Sequence, residues 1–595
     1  MMTTTTETAP APGIGLVRLS LLAFATGLIT GVGAVLFRGL IAIIHNFFFL
    51  GRFSVIYDAN LFTPPGPWGP WIILAPVIGG MVVTFLVVNF APEARGHGVP
   101  EVMDAIYYRE GVIRPAVAAV KSLASAFSIG SGAAVGREGP IIQIGASLGS
   151  SIGQIIKMQP WQRITLVAAG AGAGIAATFN TPIGGVMFAI ELMMPEVSVR
   201  TFLPVALATG TATFVGNWFL GPQPAFVVPA LPALGATPIS IVALVLYATL
   251  GAVMGVAATG FVRGLTAAED LFEKIGNSYL RHAVGMVLVG GLMYGLFRYY
   301  GHYYIDGVGY STIQAVLNNA FAPLLLLPCL YLAKLAATSI SLGSGASGGI
   351  FSPSLYMGAM LGGGFGFLVN AIHPLPDANI ATFAIVGMAA MVGGGTGAAM
   401  TAVTMIFEMT RDYGLVMPMI LAVALSIGVR RVLSRENIYT VKLVARRHVI
   451  PKALHANMFL VRHANEIMDK DVAILPSATG FDAFLRQPEH NGALKHVVVI
   501  DEDRIVGVLR VNTGLRRGLE DTYTGVTLGE VAQRDFVIAR EDDIGFEVIE
   551  RMWKRNGAMA VVVAGTGTPT AADVRGIITK EHVADSVADG IKDYA

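Results

Sequence analysis

Over the first three quarters of this 595-residue chain, long apolar runs alternate with short polar or glycine-rich breaks. Runs near 16–45, 71–92, 165–194, 202–220, 238–260, 282–300, 321–343, 383–409 and 415–433 are long enough for bilayer-spanning helices, which need about 20 apolar residues. Three others, 115–134, 139–156 and 350–370, are shorter and interrupted by glycine. Broken helices at membrane depth are tolerated only where their freed backbone faces protein or a cavity, and in transporters their ends point at the ion site. Beyond residue 464 the pattern is that of a soluble α/β part. Residues 464–513 and 526–587 read as two copies of one unit, each with an amphipathic helix, a β run (KHVVVI; AMAVVVA) and a Gly-led second run (GVLRV; GIITKEHV).

Composition sharpens this picture. Hydrophobic residues make 54% of the chain and charged residues 13%, against about 25% charged in an ordinary soluble domain. That excludes a soluble enzyme of ordinary type and a disordered chain. The charge is also unevenly placed. Residues 455–595 hold 38 of the 79 charged side chains, with a net charge of −6, while the first 454 hold 24 basic and 17 acidic ones. The junction is basic (Arg430, Arg431, Arg435, Lys442, Arg446, Arg447), which puts the soluble part on the cytoplasmic side. Cys329 is the single cysteine and is expected to be buried in an apolar run, so neither an intrachain disulfide nor a cysteine metal site is expected. The start, MMTTTTETAPAPGIG, lacks the features of a signal peptide and is expected to be disordered over 1–14.

The membrane part repeats itself. Gly136-Arg-Glu-Gly-Pro140 followed by IIQIGASLG matches Gly349-Ile-Phe-Ser-Pro353 followed by SLYMGAMLG, and FAIELM (188–193) matches MIFEMT (405–410), with Glu191 opposite Glu408. Two halves with corresponding broken segments point to a site at their interface. Three stretches place glycine and proline where a helix would begin: Gly96-His-Gly-Val-Pro100, Gly136–Pro140 and Gly345–Pro353. A helix N-terminus offers free N–H groups and partial positive charge, so converging N-termini can hold an anion without a buried cation. Each motif alone reads equally as a tight turn or a close helix crossing. Glu138, an ionisable residue beside Arg137, is either a gate that competes with the anion when charged or half of a structural ion pair.

These motifs, together with the run FNTPIGGVMFAIE, resemble the chloride channel/transporter (CLC) family over residues 15–445. The resemblance implies an α-helical polytopic membrane protein of about 18 helices in two inverted repeats, working as a homodimer with one pore per subunit in the plasma membrane. It implies chloride as substrate, protons as a second candidate, and no nucleic acid, enzymatic activity or required cofactor. By the same resemblance Glu138 is the gate. His97, Gly98, Arg137 and Gly139 flank the anion path, the N–H groups of Ile350 and Phe351 cradle the anion, and the Tyr439 hydroxyl contacts it. Read from its own pattern, Tyr439 serves equally as an interfacial belt residue. Lys121, 17 residues before Glu138, matches a pore-facing lysine. The resulting organisation is a transmembrane domain over 15–447, a linker over 448–463, two CBS units over 464–525 and 526–587, and a tail over 588–595, with both termini cytoplasmic.

Two departures from the family pattern matter. His97 stands where the family has serine; its ring either alters anion preference or points away. The family's exchangers carry two successive glutamates after the FNxP run; Glu191 matches the first, and Leu192 replaces the second, the inner proton acceptor. This favours passive, channel-like conduction over proton-coupled exchange. The C-terminal pair resembles tandem CBS domains, which bind adenine nucleotides through an Asp three residues after Thr or Ser. Here Thr579 is followed by His582, so support of the dimer without a ligand is preferred over nucleotide binding. Two rival classes are a CBS-regulated divalent-cation transporter, which needs clustered carboxylates or carbonyls, and a membrane hydrolase built on Gly345-Ala-Ser-Gly-Gly349, which needs a preceding strand.

Overall fold

The computed structural model describes residues 13–223, 226, 240–320, 325–372, 378–448, 450, 461–486, 496–511, 525–565 and 567–582. The expected tail over 588–595, nearly all of the N-terminal segment and most of the linker lie outside them. The chain divides into two units, Met1–Ile450 and Pro451–Ala595.

The first unit is helical, and eight of its described helices are long and apolar enough to cross a membrane. Its first half contains α1 (Leu16–His45), α2 (Leu74–Phe90), α3 (Val99–Tyr108), α4 (Ala116–Gly130), α5 (Glu138–Ile155), α6 (Pro160–Phe179), α7 (Pro182–Phe188) and α8 (Val199–Leu220). The second half repeats the same order of long and short helices: α9 (Ile241–Glu273), α10 (Ser278–Tyr300), α11 (Tyr310–Leu317), α12 (Leu326–Ser344), α13 (Phe351–Ile372), α14 (Ile380–Thr396), α15 (Ala399–Thr410) and α16 (Val416–Leu433). A short α17 (Thr440–Ala445) follows.

Two apolar runs read above as single spans are each two helices. The run 165–194 breaks at Asn180, which takes the left-handed conformation (φ +59°) two residues before Pro182. The run 383–409 breaks at Gly397 (φ +79°). Both are ordinary helix stops, a left-handed cap satisfying the last carbonyls, and apolar continuity hid them. Cys329 is exposed rather than buried.

Contacts exchanged between the halves reveal a two-fold relation. The Gly136 N–H donates to the Gly349 carbonyl (2.7 Å), and the Gly349 N–H donates to the Gly136 carbonyl (2.6 Å). Buried Lys121 donates to the carbonyls of Ala94 and Gly96 (3.0 and 2.7 Å), and buried Lys334 donates to those of Ile305 and Gly307 (both 2.8 Å). The Glu191 carboxylate accepts from the N–H groups of Met400 and Thr401 at the start of α15, and Glu408 accepts from those of Ile183 and Gly184 at the start of α7. The N-termini of α5 and α13 face one another across the Gly136–Gly349 pair, so the two halves are inverted.

Glycine permits the helix crossings of this bundle. At the α5–α6 crossing a Cβ on Gly145 would stand 2.1 Å from the Gly170 carbonyl oxygen, and at the equivalent α13–α14 crossing a Cβ on Gly358 would stand 2.4 Å from that of Gly387. Without a hydrophobic drive in lipid, such close backbone packing carries helix association.

The second unit contains α18 (Ala464–Ile467), β1 (Val472–Pro476), α19 (Phe481–Arg486), β2 (His496–Asp501), β3 (Arg504–Arg510), α20 (Leu528–Val531), β4 (Phe536–Arg540), α21 (Gly545–Lys554), β5 (Met559–Val563) and β6 (Val574–Thr579). Among the described residues it holds two three-stranded sheets of the same topology. In each, the first two strands are parallel, the last two antiparallel, and a register shift falls late in the middle strand. Val498 and Val508 of one sheet share a core with Val561 and Ile577 of the other.

Gly145→Val and Gly358→Val are expected to abolish the monodisperse detergent-solubilised protein in size-exclusion chromatography. By contrast, Gly295→Ala, where a Cβ meets nothing within 4 Å in α10, should be neutral or stabilising by up to about 1 kcal/mol. Equal behaviour of the three would contradict the crossing argument.

Candidate functional site

The site is built where four interrupted segments meet at the pseudo-two-fold axis. The loop before α3 is stitched to the loop before α13: the Gly96 N–H donates to the Ala346 carbonyl (3.1 Å), and the Gly348 N–H donates to the Gly96 carbonyl (3.2 Å). The loops before α5 and α13 are joined by the Gly136–Gly349 pair. Gly98, the residue before α3, sits at φ +82°, and a Cβ there would lie 2.6 Å from the Gln143 Oε1, so the position accepts only glycine without strain. Gly139 lies against the His97 carbonyl. The N-termini of α3, α5 and α13 thus converge as expected, and a fourth joins them.

That fourth is α11. Gly307-Val-Gly-Tyr-Ser311 stands in the second half where Gly96-His-Gly-Val-Pro100 stands in the first. The absence of proline concealed it, although the repeat offset could have found it. Its Tyr310 is fully buried, and the hydroxyl donates to Glu138 Oε1 at 2.6 Å. Ser352 contributes two further bonds to the same carboxylate. Its N–H donates to Oε2 (3.2 Å) and its hydroxyl makes a short bond to Oε1. The Glu138 carboxylate is completely buried and lies on the N-terminus of α13, in the place the helix offers to an anion.

The remaining donors are neutral. Among the described residues the N–H groups of Ile350 and Phe351 have no protein acceptor outside the helix they open. His97 is buried, both its ring nitrogens lack a partner, and its ring lies 5.8 Å from that of Tyr439. The ring therefore faces the tyrosine rather than solvent. Tyr439 is also buried, placed by its own N–H on the Asn437 side chain (2.9 Å). A buried imidazole ordinarily has a hydrogen-bond partner, and His97 has none among the described residues.

Arg137 does not pair with Glu138. Its guanidinium lies 5.1 Å from the centre of the Tyr310 ring, and its buried Nε has no acceptor. Lys121 pins the loop carrying His97 through the carbonyls of Ala94 and Gly96; its ammonium holds the site's backbone in place. Glu191, with the Thr401 hydroxyl as a third donor (2.8 Å), caps α15, and Leu192 follows it in a π-helical turn, Ala189–Met193. In the second unit Thr579 ends β6 and exchanges bonds with His582: the His582 N–H donates to the Thr579 hydroxyl (3.2 Å), and the Thr579 N–H donates to the His582 Nδ1 (3.3 Å). Ser347, the serine of the hydrolase-like motif, donates to the Ala94 carbonyl (2.7 Å) and lies 2.9 Å from Ser125, in a loop that follows a helix rather than a strand.

Comparison with known proteins agrees with this geometry. Residues 79–431 match the family described as "Voltage gated chloride channel". The H(+)/Cl(-) exchange transporter ClcA of Salmonella arizonae is 32% identical over 406 residues, 67% of this chain and 83% of that protein. That of Salmonella agona is 32% identical over 405 residues, 67% and 82% of the two chains. Among solved structures, a slow cyanobacterial Cl-/H+ antiporter superposes with a TM-score of 0.63 at 25% identity, covering 72% of this chain and 98% of that one. A eukaryotic CLC transporter superposes with a TM-score of 0.59 at 20% identity, covering 95% and 98%, which speaks to fold alone.

If Glu191 and Glu408 are reciprocal helix caps, Glu191→Ala and Glu408→Ala should lower thermal stability alike, by about 0.5–2 kcal/mol each. Unchanged stability of Glu191→Ala, measured by thermal unfolding in detergent, would contradict the capping role.

Proposed function

Because the chain belongs to the voltage-gated chloride channel family, we propose that it moves chloride across a membrane through the site at the α13 N-terminus, with Glu138 as the gate. The observation that carries this reading is the Glu138 carboxylate lying on the Ser352 N–H, where a chloride would accept the same bond. When charged, the carboxylate occupies the site and blocks it. When protonated it loses most of its claim on the α13 N-terminus, swings out and leaves the donors to the anion. Flux therefore rises as pH falls. His97 adds an N–H to the inner part of the path and tunes which anion is held there.

Leu192 cannot carry a proton, and Glu191 is held by three bonds to α15, so we read the transport as passive. A Cl-/H+ antiporter with a non-standard proton route is the second reading, favoured by the names of the relatives above. The molecule is read as a homodimer in the plasma membrane with cytoplasmic termini. The tandem CBS pair acts without a nucleotide, because Thr579 and His582 already satisfy one another. A divalent-cation transporter finds no support in a site made of N–H donors.

The test is chloride efflux from proteoliposomes containing the full-length protein, with simultaneous pH recording. Expected are a flux that follows chloride rather than the cation, no uphill proton movement, and no response to added ATP or AMP. Glu138→Gln should transport at a rate independent of pH. Stoichiometric uphill proton pumping would establish the exchanger, and an unchanged pH response in Glu138→Gln would remove Glu138 as the gate.

A further inference from the structure

The chain leaves the membrane unit through a short segment that touches the anion site at one end and a buried acid at the other. The segment starts with α17, directly after Tyr439. It turns at Arg447, which takes the left-handed conformation (φ +63°), and the His448 N–H folds back onto the Leu443 carbonyl (2.9 Å). This is a helix stop of the usual left-handed kind, and it lays the His448 ring on α3. The second unit begins shortly afterwards, at Pro451.

Three side chains of this segment grip neighbouring helices. Lys442 pairs with Glu269 of α9 (2.6 Å). Arg446 makes a two-pronged bond to Glu101 in the first turn of α3. The His448 Nδ1 lies 2.5 Å from Asp104 Oδ1, and its imidazole stacks on the Tyr108 ring with 4.0 Å between centres. Glu101, Asp104 and Tyr108 are three and four residues apart, so they share one face of α3. Asp104 is buried, and its other oxygen pairs with Arg109 (2.8 Å). The charged and titratable groups around His448 are therefore Glu101, Asp104, Tyr108 and Arg109 on α3, with Arg446 and Arg447 on its own segment.

A buried carboxylate is costly unless its charge is met. An imidazole changes charge between about pH 5 and 8. As a cation, His448 completes an ion pair with Asp104, a bond roughly twice as strong as a neutral one. As a neutral ring it still donates, but it leaves the Asp104 charge to Arg109 alone. The two elements joined here also carry the anion site. His97 and Gly98 lead into α3, Tyr439 leads into α17, and the His97 and Tyr439 rings are 5.8 Å apart. We propose that His448 and Asp104 are positioning residues of the anion site. Protonation of His448, on the membrane face from which the soluble unit leaves, tightens α3 against the α17 segment and raises the affinity for chloride at His97 and Tyr439. The effect is on anion binding and leaves the Glu138 gate unchanged. The inference rests on the chloride-transport reading above.

The experiment is initial chloride flux from proteoliposomes containing the full-length protein in the Glu138→Gln background, where the gate no longer titrates. Chloride is graded, and pH is set equal on both sides between about 5 and 8. The half-saturating chloride concentration should rise about twofold to fivefold from the low to the high pH, the margin between a charge-assisted and a neutral bond. The maximal rate should stay constant. His448→Gln keeps a neutral donor and should hold half-saturation at its high-pH value throughout. Asp104→Asn should also lose the pH response. Arg446→Gln loosens the same join without removing the titrating group, so it should raise half-saturation at every pH and keep the response. A half-saturation that does not change with pH, that changes equally with and without His448→Gln, or a pH effect confined to the maximal rate would overturn the positioning role while leaving the transport reading intact. A wild-type protein that carries no chloride would overturn that reading, and this one with it. Should Asp104→Asn fail to fold, the partly exposed His448→Gln carries the test. Should Glu138→Gln be inactive, the same comparison is made in the wild-type background, where His448→Gln should again flatten the half-saturation against pH.

Discussion

A backbone N–H group at membrane depth has no water to satisfy it, and this protein brings the N-termini of four helices to one point inside its membrane unit. Everything else at the site follows from those free donors. They are too many to leave unpaired and too neutral to need a fixed counter-charge. They favour an occupant that carries negative charge. In the present structure it is the Glu138 carboxylate, bound by the N–H and hydroxyl of Ser352 and by the hydroxyl of Tyr310. The same donors suit a halide ion. In the proposed reading, carboxylate and anion are interchangeable occupants of one place, and that exchange is the gate.

The two-fold repeat is how the chain brings those N-termini together. Gly136 and Gly349 bond to each other across the axis, Lys121 and Lys334 clamp equivalent loops, and Glu191 and Glu408 each cap the other half's short helix. Glycine at the α5–α6 and α13–α14 crossings lets the helices behind those loops approach closely enough to hold them. Symmetry is broken where function needs it. The position equivalent to Glu138 is Phe351, and that equivalent to Val99 is Tyr310, so one half supplies the buried carboxylate and the other the hydroxyl that binds it.

Much of this was legible in the sequence. Apolar runs located most spans, and the charge step separated the two units. The repeat offset exposed Glu191 with Glu408, and glycine–proline pairs marked three of the four N-termini. What stayed hidden did so for physical reasons. Tyr310 and α11 lack the proline that marks a helix start, and Ser352 looks like any small residue until its hydroxyl is seen to reach Glu138. Helix stops at Asn180 and Gly397 disappear inside continuous apolar runs, because hydropathy does not register a single left-handed residue. Arg137 reads as the partner of its neighbour Glu138, yet adjacent side chains at a helix start diverge, and it turns instead over the ring of Tyr310. The exposure of Cys329 likewise depends on which face of α12 it occupies, which an apolar helix does not encode.

The central claim is that the α13 N-terminus is one site shared by a carboxylate and an anion. Anomalous scattering from crystals of the wild type and of Glu138→Gln grown in bromide tests it most directly. The account predicts a bromide peak beside the Ser352 N–H in Glu138→Gln, and its absence there in the wild type at neutral pH. An empty α13 N-terminus in Glu138→Gln, or bromide bound there alongside an unmoved wild-type carboxylate, would contradict it.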